Sequence, residues 1–298
     1  MVGGSVETGI ALALVAALIA NLASLFKHRG CQRVAPVQIR QPLRSARDLA
    51  GSRWFAAGWG LAAAAWLLHV AALSMAPISL VQAVLAGGAV TLAVMSQQLF
   101  GDRIERRQWL ALLLGGAGLA LLAVTVPHFG DSSSHFSVEP ILGFEGGLAL
   151  VAVGLALGHR SERLAARSGI LLAILAGTLF ALAGIAIKGL TGAGGASAAI
   201  VVPWCALIVL CGGLAQYAAA AALQRGGAIE TIGLMGLVAN ASQIAAGLLV
   251  FGDPLSTDPL GISLQATAFA MVCLSALLLP GRDQASPPAR QALATEPA

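Results

Sequence analysis

Ionisable side chains are scarce in this sequence, and four of them fall inside or at the edge of long apolar runs: Glu145, Glu230, His69 and Lys188. A charge held in hydrocarbon is costly, so such a group faces a partner or a water-filled cavity. A carboxylate in that setting can hold a cation or carry a proton. An imidazole can relay protons near neutral pH. Glu145 and Glu230 are therefore the candidate metal ligands, and His69 is a candidate relay. Each has a plainer reading. Glu145 lies about a turn and a half into its run, where an interfacial carboxylate can hydrate itself. Glu230 falls in the first turn of a helix, where the dipole favours an acid, and near Arg225. His69 can be a hydrogen-bonded interfacial histidine.

Neutral polar groups form a second set: Asn21, Gln82, Gln216, Tyr217, Asn240 and Gln243 sit well inside apolar runs. Asn240 and Gln243 are three apart and share a helix face. Amides coordinate cations, bind polar metabolites, or join helices to one another. Catalysis would need paired carboxylates, a Ser/His pair or a His-rich metal set. His69 has no acidic neighbour at helical spacing, so an enzyme is not expected. Cys31, Cys205, Cys211 and Cys273 form no C-x-x-C pair, so neither a zinc site nor a disulfide framework is expected. No cofactor is implied. The stretch "PHFGDSSSHFSVEP", with His128, Asp131, His135 and Glu139, reads as a solvated loop.

Membrane-spanning helices must position these groups. The chain is 58% hydrophobic and 10% charged, against about 25% charged in a soluble domain, and its mean hydropathy is +0.85. A spanning helix needs about 20 apolar residues. Nine segments qualify: 7–26, 54–75, 78–100, 108–126, 140–158, 169–188, 199–223, 228–251 and 259–280. The fold class is thus an all-α integral membrane protein, and the bilayer is its first partner. The first run lacks a basic stretch before it and reads as a spanning helix, not a signal peptide. The tail 281–298, rich in Pro, Ala and polar residues, is expected to be disordered.

Charge placement gives an orientation. With the N-terminus outside and the C-terminus inside, every Lys and Arg except Lys188 falls on the cytoplasmic side. Trp54 and Trp109 then mark inner ends and Trp204 an outer end. The basic pI near 9.2 is accounted for by topology and by contact with anionic lipid, without a nucleic-acid partner.

Two apolar runs end alike, in "QQLFGDRIERRQWL" and in "LLVFGDPLSTDPLG". Aligning Phe100-Gly101-Asp102 on Phe251-Gly252-Asp253 sets Ile78 on Ile229 and Trp66 on Tyr217. With a slightly different shift, Lys27 falls on Lys188. Five helices per copy is an odd number, so the second copy is inverted, which explains why Lys188 alone faces outward. The expected units are 1–160, helices one to five; 161–280, an inverted copy lacking its last helix; and the tail. Inverted repeats recur in secondary transporters, with the site near the midplane.

The segment "APISLVQAVLAGGAVTLAVMSQQLFGDRIERRQWLALLLGGAGLALL" resembles the third and fourth helices of the drug/metabolite transporter (EamA-like) superfamily. The nine-helix count, "SLFKHRG" after helix one, "AGIAIKGL" closing helix six and "LLVFGDPLS" ending helix eight are similar to its NIPA-type magnesium transporters. The resemblance spans roughly residues 7–280. It implies transport by alternating access of two five-helix halves, with Mg²⁺ or a related divalent cation as substrate. Mg²⁺ keeps several waters and needs one or two carboxylates, so Glu145 and Glu230 could serve as groups at opposite faces. A midplane site would rest on Gln82, Asn240, Gln243 and water. An organic solute would suit the amides, Tyr217, Trp66 and the apolar walls. A scaffold without transport, and a homodimer, stay open. The Arg-over-Lys bias with abundant Ala and Gly points to a bacterial cytoplasmic membrane.

Overall fold

The computed structural model describes residues 3–37, 41–101, 104–125, 138–158, 167–192, 198–252, 256 and 258–278. The tail 281–298, the loop bearing His128, Asp131 and His135, and Asp102 and Asp253 lie outside the described residues.

Eleven helices follow in chain order: α1 (Gly3–Cys31), α2 (Pro42–Ala50), α3 (Arg53–Met75), α4 (Ile78–Gly87), α5 (Ala89–Phe100), α6 (Arg106–Thr125), α7 (Val138–Gly158), α8 (Ser168–Gly192), α9 (Ala198–Leu223), α10 (Ala228–Leu249) and α11 (Pro259–Leu278). No strand occurs among the described residues. In hydrocarbon a helix satisfies its own backbone polar groups, which long apolar runs otherwise leave unpaired. Six helices (α1, α3, α7, α8, α9 and α10) are long and apolar enough to cross a membrane. The chain is a multi-pass membrane protein. The other three expected segments also fall on helix, as α4 with α5, α6 and α11.

The structure departs from the sequence expectation in three places. The expected third helix, 78–100, is broken at Gly88. There the Gly88 N–H bonds the Leu85 carbonyl (3.1 Å), one residue short of the α-helical partner, while the Gly88 carbonyl keeps the helical bond from Leu92 N–H (3.1 Å) and also accepts from Asn21 Nδ2 (2.7 Å) and Thr91 Oγ1 (2.6 Å). The connection 27–53 holds an extra helix, α2, with Pro42 at its first position, where a missing N–H is harmless. And α1 runs on to Cys31, past the expected end at 26, so Lys27 is a helical residue, not a loop residue.

The bundle packs α1 on α3, α8 on α9, α4 on α10 and α6 on α11, with α7 lying against α8. The most enclosed span is α8, 78% of it buried. Small residues bring backbones together, as membrane helix pairs require. A Cβ on Gly177 would stand 2.7 Å from the Met235 carbonyl of α10. The alanine run 218–222 of α9 is buried throughout.

At one end the two expected units are tied. Gln224, just past α9, donates to the Cys31 (3.2 Å) and Ala35 (3.1 Å) carbonyls and accepts from the Val37 N–H (2.7 Å). Gln32 donates to the Leu223 carbonyl at 2.9 Å. Nearby, Arg29 and Arg33 lie over the Trp54 ring, 5.1 and 5.7 Å from its centroid, a cation–π clamp between the end of α1 and the start of α3.

The two Phe-Gly endings behave alike. Gly101 and Gly252 both take the left-handed conformation, φ +71° and +69°, which L side chains enter at about 1–2 kcal/mol. Gly101→Val and Gly252→Val should each lower the thermal unfolding temperature of the detergent-solubilised protein. Valine at Gly60, where φ is not left-handed and a Cβ would meet nothing within 4 Å, should leave it nearly unchanged. Equal stability in all three variants would refute the turn assignment.

Candidate functional site

A cavity of about 680 Å³ lies at the centre of the bundle. Residues of α1, α3, α4, α5, α6, α8, α9, α10 and α11 line it. Most of its lining is alanine, glycine and aliphatic side chain. Asn21, Lys27, His69, Gln82, Gln216, Asn240 and Gln243 supply its polar groups.

Each polar group has a distinct setting. Asn21 is committed to the broken helix, donating to the Gly88 carbonyl and to Thr91 Oγ1 at 3.1 Å. Gln82 and Gln243 are fully or nearly buried and join α4 to α10 through Gln82 Nε2 donating to Gln243 Oε1 at 2.9 Å. Gln82 Oε1 has no hydrogen-bond partner among the described residues. The Gln243 amide lies against Gly184 of α8, where a Cβ would overlap it. Asn240 is half-buried and lines the cavity. The buried Nδ1 of His69 likewise has no partner among the described residues.

Lys27 is the charged group of the lining among the described residues, and it is 8% exposed. Its Nζ donates to Gln216 Oε1 of α9 at 3.1 Å. Its stem is fixed by α3: a Cβ on Gly58 would stand 2.8 Å from Lys27 Cγ. The sequence alone places Lys27 in a cytoplasmic connection and aligns it with Lys188, without making it a site residue. Two signals pointed inward: its position directly after the apolar run, and its alignment with Lys188. Trp59, which lines the cavity beside Trp66, also went unnoticed.

Three residues singled out from the sequence lie away from the cavity. Glu145 is 5% exposed, on α7 near Cys211 of α9, and its Oε1 has no hydrogen-bond partner. Glu230 is buried in the first turn of α10, beside the cavity-lining Ile232 and Gly233 but not itself in the lining. Tyr217 is half-buried and packs on the hydrophobic core. The two carboxylates therefore do not meet in one site, and no group of three or more His, Cys, Asp or Glu is placed to hold a metal ion among the described residues. Lys188 donates to the Leu73 (3.1 Å) and Ala76 (3.2 Å) carbonyls, capping the C-terminal end of α3, where a cation is favoured.

The chain is similar to NIPA9 of Arabidopsis thaliana, a probable magnesium transporter. The two are 24% identical over 282 residues, which cover 91% of this chain and 81% of the plant protein. No family model matches the chain, and no solved structure matches it.

Proposed function

We propose that the chain is a transporter that carries a small solute through its central cavity by alternating access. The carrying observation is the cavity itself: helices of both halves wall it, and unpartnered polar atoms of His69 and Gln82 border it. The two halves are 1–160 and the inverted 161–280, N-terminus outside, in a cytoplasmic membrane. Helix pairing supports that division, since α1 with α3 answers α8 with α9, while α4 with α10 and α6 with α11 join like to like. The matching φ values of Gly101 and Gly252 support it too.

The first substrate reading is Mg²⁺ or another divalent cation, supported by the similarity to NIPA9. Glu145 and Glu230 are buried but stand outside the cavity lining, so they would serve as acidic groups flanking the route, not as ligands within the cavity. The test is Mg²⁺ flux into proteoliposomes holding a trapped Mg²⁺-sensitive dye. Wild type should show saturable flux, and Glu145→Gln or Glu230→Gln should reduce it at least about tenfold, with thermal unfolding unchanged. Folded wild type that passes no Mg²⁺ under either gradient direction would end this reading.

The second reading, a small organic solute, is favoured by the charge in the cavity. Among the described residues the lining holds an ammonium and two indoles and no carboxylate. A dication beside Lys27 would meet repulsion where it needs compensation.

A further inference from the structure

A lysine ammonium carries three hydrogens to be satisfied. Long cationic side chains in membrane proteins usually extend to the interface and hydrate there. Lys27 does not: it is 8% exposed, with its stem held against Gly58. Its one hydrogen-bond partner among the described residues is Gln216 Oε1. The Gln216 Nε2 group donates to no described residue, and both side chains line the cavity. A buried charge without a counter-charge is costly, and the open space beside this one is the cavity.

The cavity also has a side. Trp59 and Trp66 stand about two turns apart on one face of α3, opposite Val209, Gly212 and Gly213 of α9. These wall residues are also surface residues: Trp59 is 50% exposed, Trp66 48% and Val209 74%. A Cβ at Gly212 or Gly213 would meet nothing within 4 Å. These exposed aromatic and aliphatic residues of α3 and α9 are the ones that would edge a slit from the cavity toward the bilayer.

We propose that Lys27 and Gln216 bind the head group of a small organic anion, a carboxylate or a phosphate monoester, whose apolar body lies along Trp59 and Trp66 toward this slit. The proposal rests on the organic-solute reading and gives that solute a charge, a polarity and a direction. The ammonium and the Gln216 amide both donate to the anion's oxygens, as charge-assisted hydrogen bonds. The volume is in the range of small-molecule sites, about 300–1,000 Å³.

The test is equilibrium binding to the full-length protein in zwitterionic nanodiscs, read by tryptophan fluorescence. The probes are hexanoate, hexyl phosphate, hexanol and hexylamine. The two anions should bind saturably, and the alcohol and the amine should not. Lys27→Gln should weaken hexanoate at least about tenfold, a change of one decade in Kd, and Lys27→Arg should restore most of it. Gln216→Glu places a near-isosteric carboxylate beside the ammonium and should abolish anion binding in a protein of normal thermal stability. This variant keeps the test decisive if Lys27→Gln does not fold. Hexanoate bound equally by wild type and Gln216→Glu, or hexanol bound as well as hexanoate, would overturn the proposal. The slit is tested with oleate supplied in the bilayer. Gly213→Trp should abolish oleate binding and spare hexanoate, and retention of both would overturn the lipid-side opening. Binding and flux separate the two levels: anion binding that obeys Lys27 without organic-anion flux upholds the site against the transport reading. Flux that ignores Lys27 does the reverse.

Discussion

Gly236→Leu should silence transport while leaving the protein at least as stable as wild type. Gly236 lines the cavity on α10, and a Cβ there would meet nothing within 4 Å. A leucine would project into open space without pushing on a neighbour. It also replaces a mid-helix glycine, which costs about 0.5–1 kcal/mol relative to alanine, by a good helix former. Flux of the carried solute should fall about a hundredfold, since displacements of about 1 Å near a working site already cost that much. Gly212→Leu, from the facing wall on α9, should act the same way. Gly146→Leu on α7, equally roomy but outside the lining, should change nothing. The check is flux in proteoliposomes beside thermal unfolding in detergent. Normal flux in Gly236→Leu would show that the solute does not pass through this cavity.

Gly184→Val should act on the fold instead. A Cβ at Gly184 overlaps the Gln243 amide, which accepts the hydrogen bond from Gln82 Nε2. Forcing extra carbons into a packed interior costs about 1–3 kcal/mol. Leaving a buried amide unsatisfied costs about 1–3 kcal/mol. The variant should lose about 2–6 kcal/mol of stability. Adding Gln243→Ala removes the obstructing side chain and should return part of that loss, a coupling of about 0.5–3 kcal/mol. Strictly additive losses in the double variant would mean that Gly184 and Gln243 do not share the space.

Run lengths made the helices legible, because only internally bonded backbone survives in hydrocarbon. The facing of side chains was far less so. A helix in lipid is apolar on nearly every face, so no polar stripe reveals which face meets the protein. Glu145 and Tyr217 drew attention by their chemistry, yet α7 and α9 turn them away from the cavity. Gln82 and Gln243 were singled out as separate residues. Their pairing depends on a glycine of a third helix, and nothing in the local sequence announces that. Lys27 was missed because a lysine after an apolar run usually ends it. Four further residues in helical conformation carry α1 to Cys31 and keep the ammonium inside. The break at Gly88 coincides with a bond from Asn21 of α1, a contact between positions far apart in the chain.

The tie at Gln224 has an energetic meaning for any motion that would part the ends it joins. Four hydrogen bonds join residues 31–37 to the end of α9. At about 0.5–1.5 kcal/mol net apiece they hold those ends together by roughly 2–6 kcal/mol. A conformer with the ends parted would then be roughly thirtyfold to twenty-thousandfold rarer than the tied one. A ligand shifts such a ratio only by the difference in its affinity for the two forms. A solute that binds both forms equally would leave the tied form dominant, however tightly it bound.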